Sequence, residues 1–242
     1  MIAFEHALAL FLFVGVPIWD ALETRALKTS TNPRRKILSY RRIAIIEWAA
    51  TLVAWIVLRS QVFQLWPGAR MASLRKIGTS FVLGLVLAFA IGSLLQAYLA
   101  RRNLKLHAKT LMAFKRLAFI LPVTREERSW FVLISLTAGI CEEVLYRGFL
   151  IRYLSDSPWH TGLGIALGIS SIAFGMAHGY QGLTGILGTA LLGALMAVIF
   201  VVTGNLWVPI ALHALIDLRV LFLLRPGELI SSGLSEAPAP EA

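Results

Sequence analysis

Three short runs hold the residues of this 242-residue chain that are placed to do chemistry. The first is CEEVLYRGF, with Glu142, Glu143 and Arg147. The second is FGMAH, with Phe174 and His178. The third is HALID, with His213 and Asp217. All three sit in otherwise apolar sequence. A charge at the centre of a bilayer costs about 2.5–3.5 kcal/mol even on lenient insertion scales, so such residues are functional candidates. Glu143 and Arg147 stand at i,i+4 with the acid first, the favourable order for an ion pair on a helix. Glu142 is turned about 100° away from Glu143 and need not share that arginine. His178 follows Phe174 by one turn on the same face. His213 and Asp217 are also at i,i+4, so Asp217 is placed to orient His213 or to offer a polar group beside it.

Lipid cannot satisfy these groups, whereas a shared polar cavity lined by Glu142, Glu143, His178 and His213 can. In such a cavity a carboxylate acts as general base toward a bound water. Two imidazoles then bind the water, stabilise an oxyanion or ligate a metal. Each of these roles belongs to hydrolysis. No lone Ser or Cys stands out as a nucleophile, and the zinc-protease pattern HExxH is absent. Gly168-Ile169-Ser170-Ser171 is only a faint serine-protease pattern, without a matching histidine, and no pair of aspartates sits within the spans.

The elements that must position these residues are membrane helices. The chain is 57% hydrophobic and 15% charged, with a mean hydropathy of +0.74. A soluble domain carries about a quarter of its residues as charges, so an ordinary soluble enzyme is excluded. One cysteine, Cys141, cannot form an internal disulfide. Apolar stretches of about 17–25 residues span a bilayer. Candidates run at 6–22, 43–65, 77–99, 129–154, 160–178, 183–203 and 205–224. The expected fold is therefore all-α: a multi-pass transmembrane helical bundle of about seven spans. The first span lacks a basic flank, so a cleaved signal peptide is not expected.

Residues 103–121 interleave Lys105, Lys109, Lys115 and Arg116 with Leu104, Leu111, Phe114 and Phe119. That pattern predicts an amphipathic helix on the membrane surface. The net charge of +10 is read as loops that face anionic lipid rather than nucleic acid. Residues 23–42 and 100–128 are the richest in Lys and Arg, which places them in the cytoplasm, the N-terminus outside and the C-terminus inside. Thr124 and Glu127 fit a capping box ahead of the fourth span. Gly164/Gly168 and Gly175/Gly179 are small-residue pairs that allow close helix contact. Pro209 is expected to kink the seventh span near His213. Glu47, near the start of its span, is expected to reach toward the headgroups, while Asp20 and Glu23 fall near a span end. Three regions follow: 1–128 with three spans and the basic amphipathic helix, 129–226 as a four-helix core, and a disordered tail at 227–242.

Taken together, Glu142-Glu143-x-x-x-Arg147, Phe174-x-x-x-His178 and His213-x-x-x-Asp217 resemble the motifs of the CAAX protease and bacteriocin-processing (CPBP, or Abi) family of intramembrane proteases. Type II CAAX prenyl endopeptidases belong to it. The resemblance covers about residues 129–220. It implies that Glu142 activates water, that His178 holds and polarises that water, and that His213 and position 217 stabilise the oxyanion. Glu143 and Arg147 would be the supporting ion pair, with Phe174 a packing residue. Position 217 is Asp here where the prenyl-protease members carry Asn. An ionised Asp is an acceptor only, so it would act when protonated or by orienting His213.

The expected function is hydrolysis of a peptide bond in a membrane-tethered protein or peptide, by an endopeptidase of a bacterial inner (cell) membrane. Its partners are that substrate and the lipid bilayer, with no nucleic acid. The leading reading needs no cofactor. Its alternative has Zn²⁺ held by Glu142, His178 and His213. A rival of another class is a non-catalytic membrane immunity or binding protein, or an ion conduit built on the same polar cluster.

Overall fold

In a computed structural model, residues 2–59, 72–155 and 159–233 are described. Among them the chain is helical, with no β-strand. Helices α1 (Ile2–Leu10) and α2 (Val16–Thr29) form one rod through a π-helical turn at Phe11–Gly15. α3 (Arg35–Leu58), α4 (Ala72–Arg102) and α5 (Leu104–Phe114) follow. α6 (Arg125–Glu142) runs through a π-helical segment, Glu143–Leu150, into α7 (Ile151–Ser155). Then come α8 (Leu163–Met176), α9 (Gly182–Thr203), α10 (Trp207–Leu223) and the short α11 (Glu228–Ser231).

The seven apolar segments all appear as helices. Four rods among the described residues are long and apolar enough to cross a membrane: Ala3–Thr29, Ser80–Arg102, Arg125–Ser155 and Gly179–Thr203. α8 is apolar but shorter, and α3 carries Arg41, Arg42 and Glu47 at the start of and within its apolar stretch. Residues 60–65 of the second expected span lie outside the described residues. The outer surface is apolar in helical register. Leu183, Leu187 and Leu191 of α9 recur at i,i+4 and are 72%, 63% and 74% exposed. A soluble protein rarely leaves such a stripe bare, whereas lipid covers it at no cost. The chain is an integral membrane protein.

The amphipathic helix is α5. Asn103 caps it by accepting from the Lys105 and Leu106 amides at 2.9 and 3.1 Å. Leu104 and Met112 stay exposed, while Leu111, Phe114 and Leu117 pack against Ala118, Leu121 and Val123. The tail departs from expectation at its start. Residues 227–231 turn back as α11 because Leu229 finds apolar partners in that same cluster. The Gly227 amide donates to the Val123 carbonyl at 2.8 Å. Residues 234–242 lie outside the described residues.

Close helix contact uses only part of the expected glycine set, together with Gly139. Gly164 and Gly168 face open space. Gly175 is the contact point of α8 with α9: a Cβ there would lie 2.7 Å from the Ile186 carbonyl oxygen and 2.8 Å from the Ala190 Cβ. Gly139 does the same for α6 and α10, with Ala214 at 3.0 Å. Gly175→Ala must therefore part α8 from α9 just ahead of His178. We expect a loss of about 1–3 kcal/mol. Gly168→Ala should stay within about 0.5 kcal/mol. Detergent unfolding of the two variants checks this, and equal stability would refute it. Pro209 sits in the first turn of α10, where its missing N–H has no intrahelical partner to lose, so it does not kink the helix beside His213.

Candidate active site

Each candidate side chain is delivered by a different structural device. Glu142 is the last residue of α6, and the capping box at the other end of that helix is complete, with the Thr124 hydroxyl accepting from the Glu127 amide. Glu143 opens the π-helical segment, all eight residues of which are buried. Such segments widen the helix by one residue per turn and recur at functional sites. His178 lies just beyond the end of α8, in the turn leading to α9. His213 and Asp217 are on α10.

At the base of the site is a buried charge network. Arg147 Nη1 donates to Glu143 Oε1 at 3.0 Å, and Nη2 donates to the Gly193 carbonyl at 3.1 Å. The guanidinium also stacks 4.3 Å from the Phe174 ring centroid. Arg147 and Glu143 are 1% and 0% exposed, so neither is solvated except by these partners. The same Glu143 Oε1 accepts from His213 Nδ1 at 2.8 Å. His178 Nδ1 donates to the Phe174 carbonyl at 2.8 Å. Phe174 packs under both imidazoles, 4.6 Å from the His178 ring and 5.8 Å from that of His213.

With both Nδ1 atoms engaged, both Nε2 atoms turn toward one oxygen. Glu142 Oε2 is 3.7 Å from His213 Nε2 and 3.9 Å from His178 Nε2. That oxygen is buried and has no direct hydrogen-bond partner in the protein. Separations this long are too wide for a direct hydrogen bond and suit a bridging water. The four expected catalytic residues thus meet, with Asp217 at the margin: its Oδ2 is 4.0 Å from His213 Nε2 and its side chain is 35% exposed. Asp217 does not orient His213. Glu143 does, because it reaches the other ring nitrogen at hydrogen-bond distance.

Two imidazole nitrogens and a carboxylate oxygen are a zinc-type donor set. On a tetrahedral ion, however, neighbouring ligands stand about 3.3 Å apart. Among the described residues no group of three or more His, Cys, Asp or Glu is arranged to hold a metal ion. As they stand, Glu142, His178 and His213 do not form a metal site.

Other side chains were not foreseen. Glu47 does not reach toward headgroups. It lies near the middle of α3, and its carboxyl is turned to that of Glu142. Asp20 of α2 accepts from the Tyr180 amide at 3.1 Å, next to the His178 turn. Glu23 pairs with Arg42 instead, at 3.3 Å. Tyr146 is 2% exposed, and its hydroxyl has no hydrogen-bond partner. An acidic residue in an apolar span is the signal that singled out Glu142, and it applied equally to Glu47 and Asp20. Ser170, in the faint serine pattern, donates its hydroxyl to the Tyr146 carbonyl at 2.6 Å and serves helix packing.

Residues 124–219 match the family model of type II CAAX prenyl endopeptidase Rce1-like proteins. The match runs from the cap of α6 to α10 and contains all three motifs. No curated protein and no solved structure matches the chain.

Proposed function

We propose that this chain, whose residues 124–219 match the model of type II CAAX prenyl endopeptidase Rce1-like proteins, is an intramembrane endopeptidase of the CAAX protease and bacteriocin-processing family that cleaves a membrane-tethered protein or peptide with a water activated by Glu142. The observation that carries the reading is the convergence of two imidazole Nε2 atoms on Glu142 Oε2.

A water seated between these atoms donates one O–H to Glu142 and one to His178 Nε2. The Phe174 carbonyl on Nδ1 keeps His178 in the tautomer whose Nε2 bears the lone pair. Glu142 takes the proton as the oxygen attacks the scissile carbonyl carbon, and returns it to the departing amine. His213 donates its Nδ1–H to Glu143, and the role assigned here is that of a doubly protonated ring. Its Nε2–H then donates to the oxyanion. Arg147 holds Glu143 in place. Glu143 is thus more than a structural partner, since it links the arginine to the oxyanion donor.

The test is a comparison of membrane-protein termini in cells carrying wild type or Glu142→Gln. The expected result is a terminus present with wild type and lost with the variant. Identical termini would refute the reading and favour a non-catalytic binding role. A second measurement addresses the metal alternative. Purified protein treated with a zinc chelator should keep its cleavage rate within about twofold. A loss restored by Zn²⁺ would assign the water to a metal instead.

A further inference from the structure

The matched segment begins at Thr124, yet one of its catalytic turns is held from the far end of the chain. We propose that Asp20 is a positioning residue: its carboxylate straps the His178–Tyr180 turn so that His178 Nε2 faces Glu142. The proposal rests on the hydrolytic reading of the site.

His178 needs such a strap because of where it sits. α8 ends at Met176, so His178 lies in the turn between two helices rather than within either. Its own amide bonds back to the Gly175 carbonyl at 3.0 Å, and its carbonyl accepts from the Gln181 amide at 3.1 Å. Gly179–Gln181 form a single 3₁₀ turn. The first amides of such a turn have no partner inside it. Asp20 Oδ2 accepts from one of them, Tyr180 N–H, at 3.1 Å. The same oxygen lies 3.6 Å from the Cβ position of Gly179, so the carboxylate rests against the turn itself.

The strapped residue also touches the catalytic ring. The Tyr180 ring lies 5.9 Å from that of His178, tilted by 35°. On its other side it meets Phe119 at 6.4 Å. Movement of Tyr180 therefore reaches His178 through both backbone and ring. The His178 ring is also oriented by the Phe174 carbonyl, which bonds its Nδ1 but makes no bond to the turn after it. α2 supplies the tie to that turn, through the Asp20 carboxylate.

The experiment uses full-length protein in detergent micelles with an internally quenched peptide bearing a farnesylated CAAX tail. Asp20→Ala, Asp20→Asn and Glu142→Gln are compared with wild type. Asp20→Ala should lower kcat by about 10–100-fold with KM within about twofold, because His178 is misplaced while the substrate contacts remain. Asp20→Asn keeps an acceptor oxygen and should stay within about threefold of wild type. Wild-type kcat in Asp20→Ala, or an Asn variant as slow as the Ala variant, would overturn the strap.

Hydrogen exchange of the Tyr180 amide is followed in parallel, since it does not depend on turnover. It should quicken about tenfold in Asp20→Ala and stay unchanged in Glu142→Gln. If wild type shows no Glu142-dependent cleavage, that counts against the hydrolytic reading, and the strap is judged by this exchange. Equal exchange in all four proteins would overturn it.

Discussion

Glu142→Gln should lower kcat by about 10³-fold or more while leaving the fold intact. The amide is nearly isosteric with the carboxylate, so the contacts around it persist. What it lacks is the ability to take a proton. General-base catalysis contributes about 10²–10⁴-fold. Glu142 Oε2 is also the atom on which both imidazoles converge, at 3.7 and 3.9 Å, so it is the group placed to take the proton of a water held there. Groups that act as a unit lose nearly everything with any one of them. His213→Gln should therefore fall in the same range, and the double variant with Glu142→Gln should be little worse than either single one. Single-turnover kinetics on purified protein would check this. Additive losses in the double variant, or kcat within tenfold of wild type in Glu142→Gln, would remove Glu142 from the chemistry.

Arg147→Met should be the most destabilising single substitution at the site. The guanidinium is 1% exposed and bonds Glu143 Oε1 at 3.0 Å and the Gly193 carbonyl at 3.1 Å. A methionine fills much of the volume but leaves Glu143, itself fully buried, with only His213 for company. Breaking a buried ion pair from one side costs about 3–5 kcal/mol. The diagnostic is the double variant Glu143→Gln/Arg147→Met. It carries no buried charge at these positions, and its amide oxygen still accepts from His213 Nδ1. It should regain a large part of the lost stability. Detergent unfolding curves for the single and double variants decide the matter. A double variant no more stable than Arg147→Met would mean that packing, not charge, holds the pair together.

Much of this protein is local information. Apolar segments of bilayer length are read by counting, and each becomes a helix because a backbone in lipid must satisfy its own hydrogen bonds. Glu142, His178 and His213 stand out because a polar group in such a segment has to be compensated somewhere. The Thr124–Glu127 cap, the Glu143–Arg147 pair and the amphipathic α5 are spacings within one or two turns, and all three are present.

Other features belong to the fold alone. Spacing puts Asp217 one turn from His213, but the His213 ring donates from Nδ1 to Glu143, across 70 positions. Asp20 finds the Tyr180 amide across 160 positions. An apolar span starting at residue 43 puts Glu47 near its end, whereas α3 starts at Arg35 and turns Glu47 toward Glu142. Small-residue spacing picks out Gly175, which does touch a neighbouring helix, but also Gly164 and Gly168, which do not, and it passes over Gly139, which does. The sequence by itself determined which side chains require polar company inside the membrane. Which helix supplies that company, and at which atom, depends on the rotation and depth of each rod, and these are set only when the rods pack against one another.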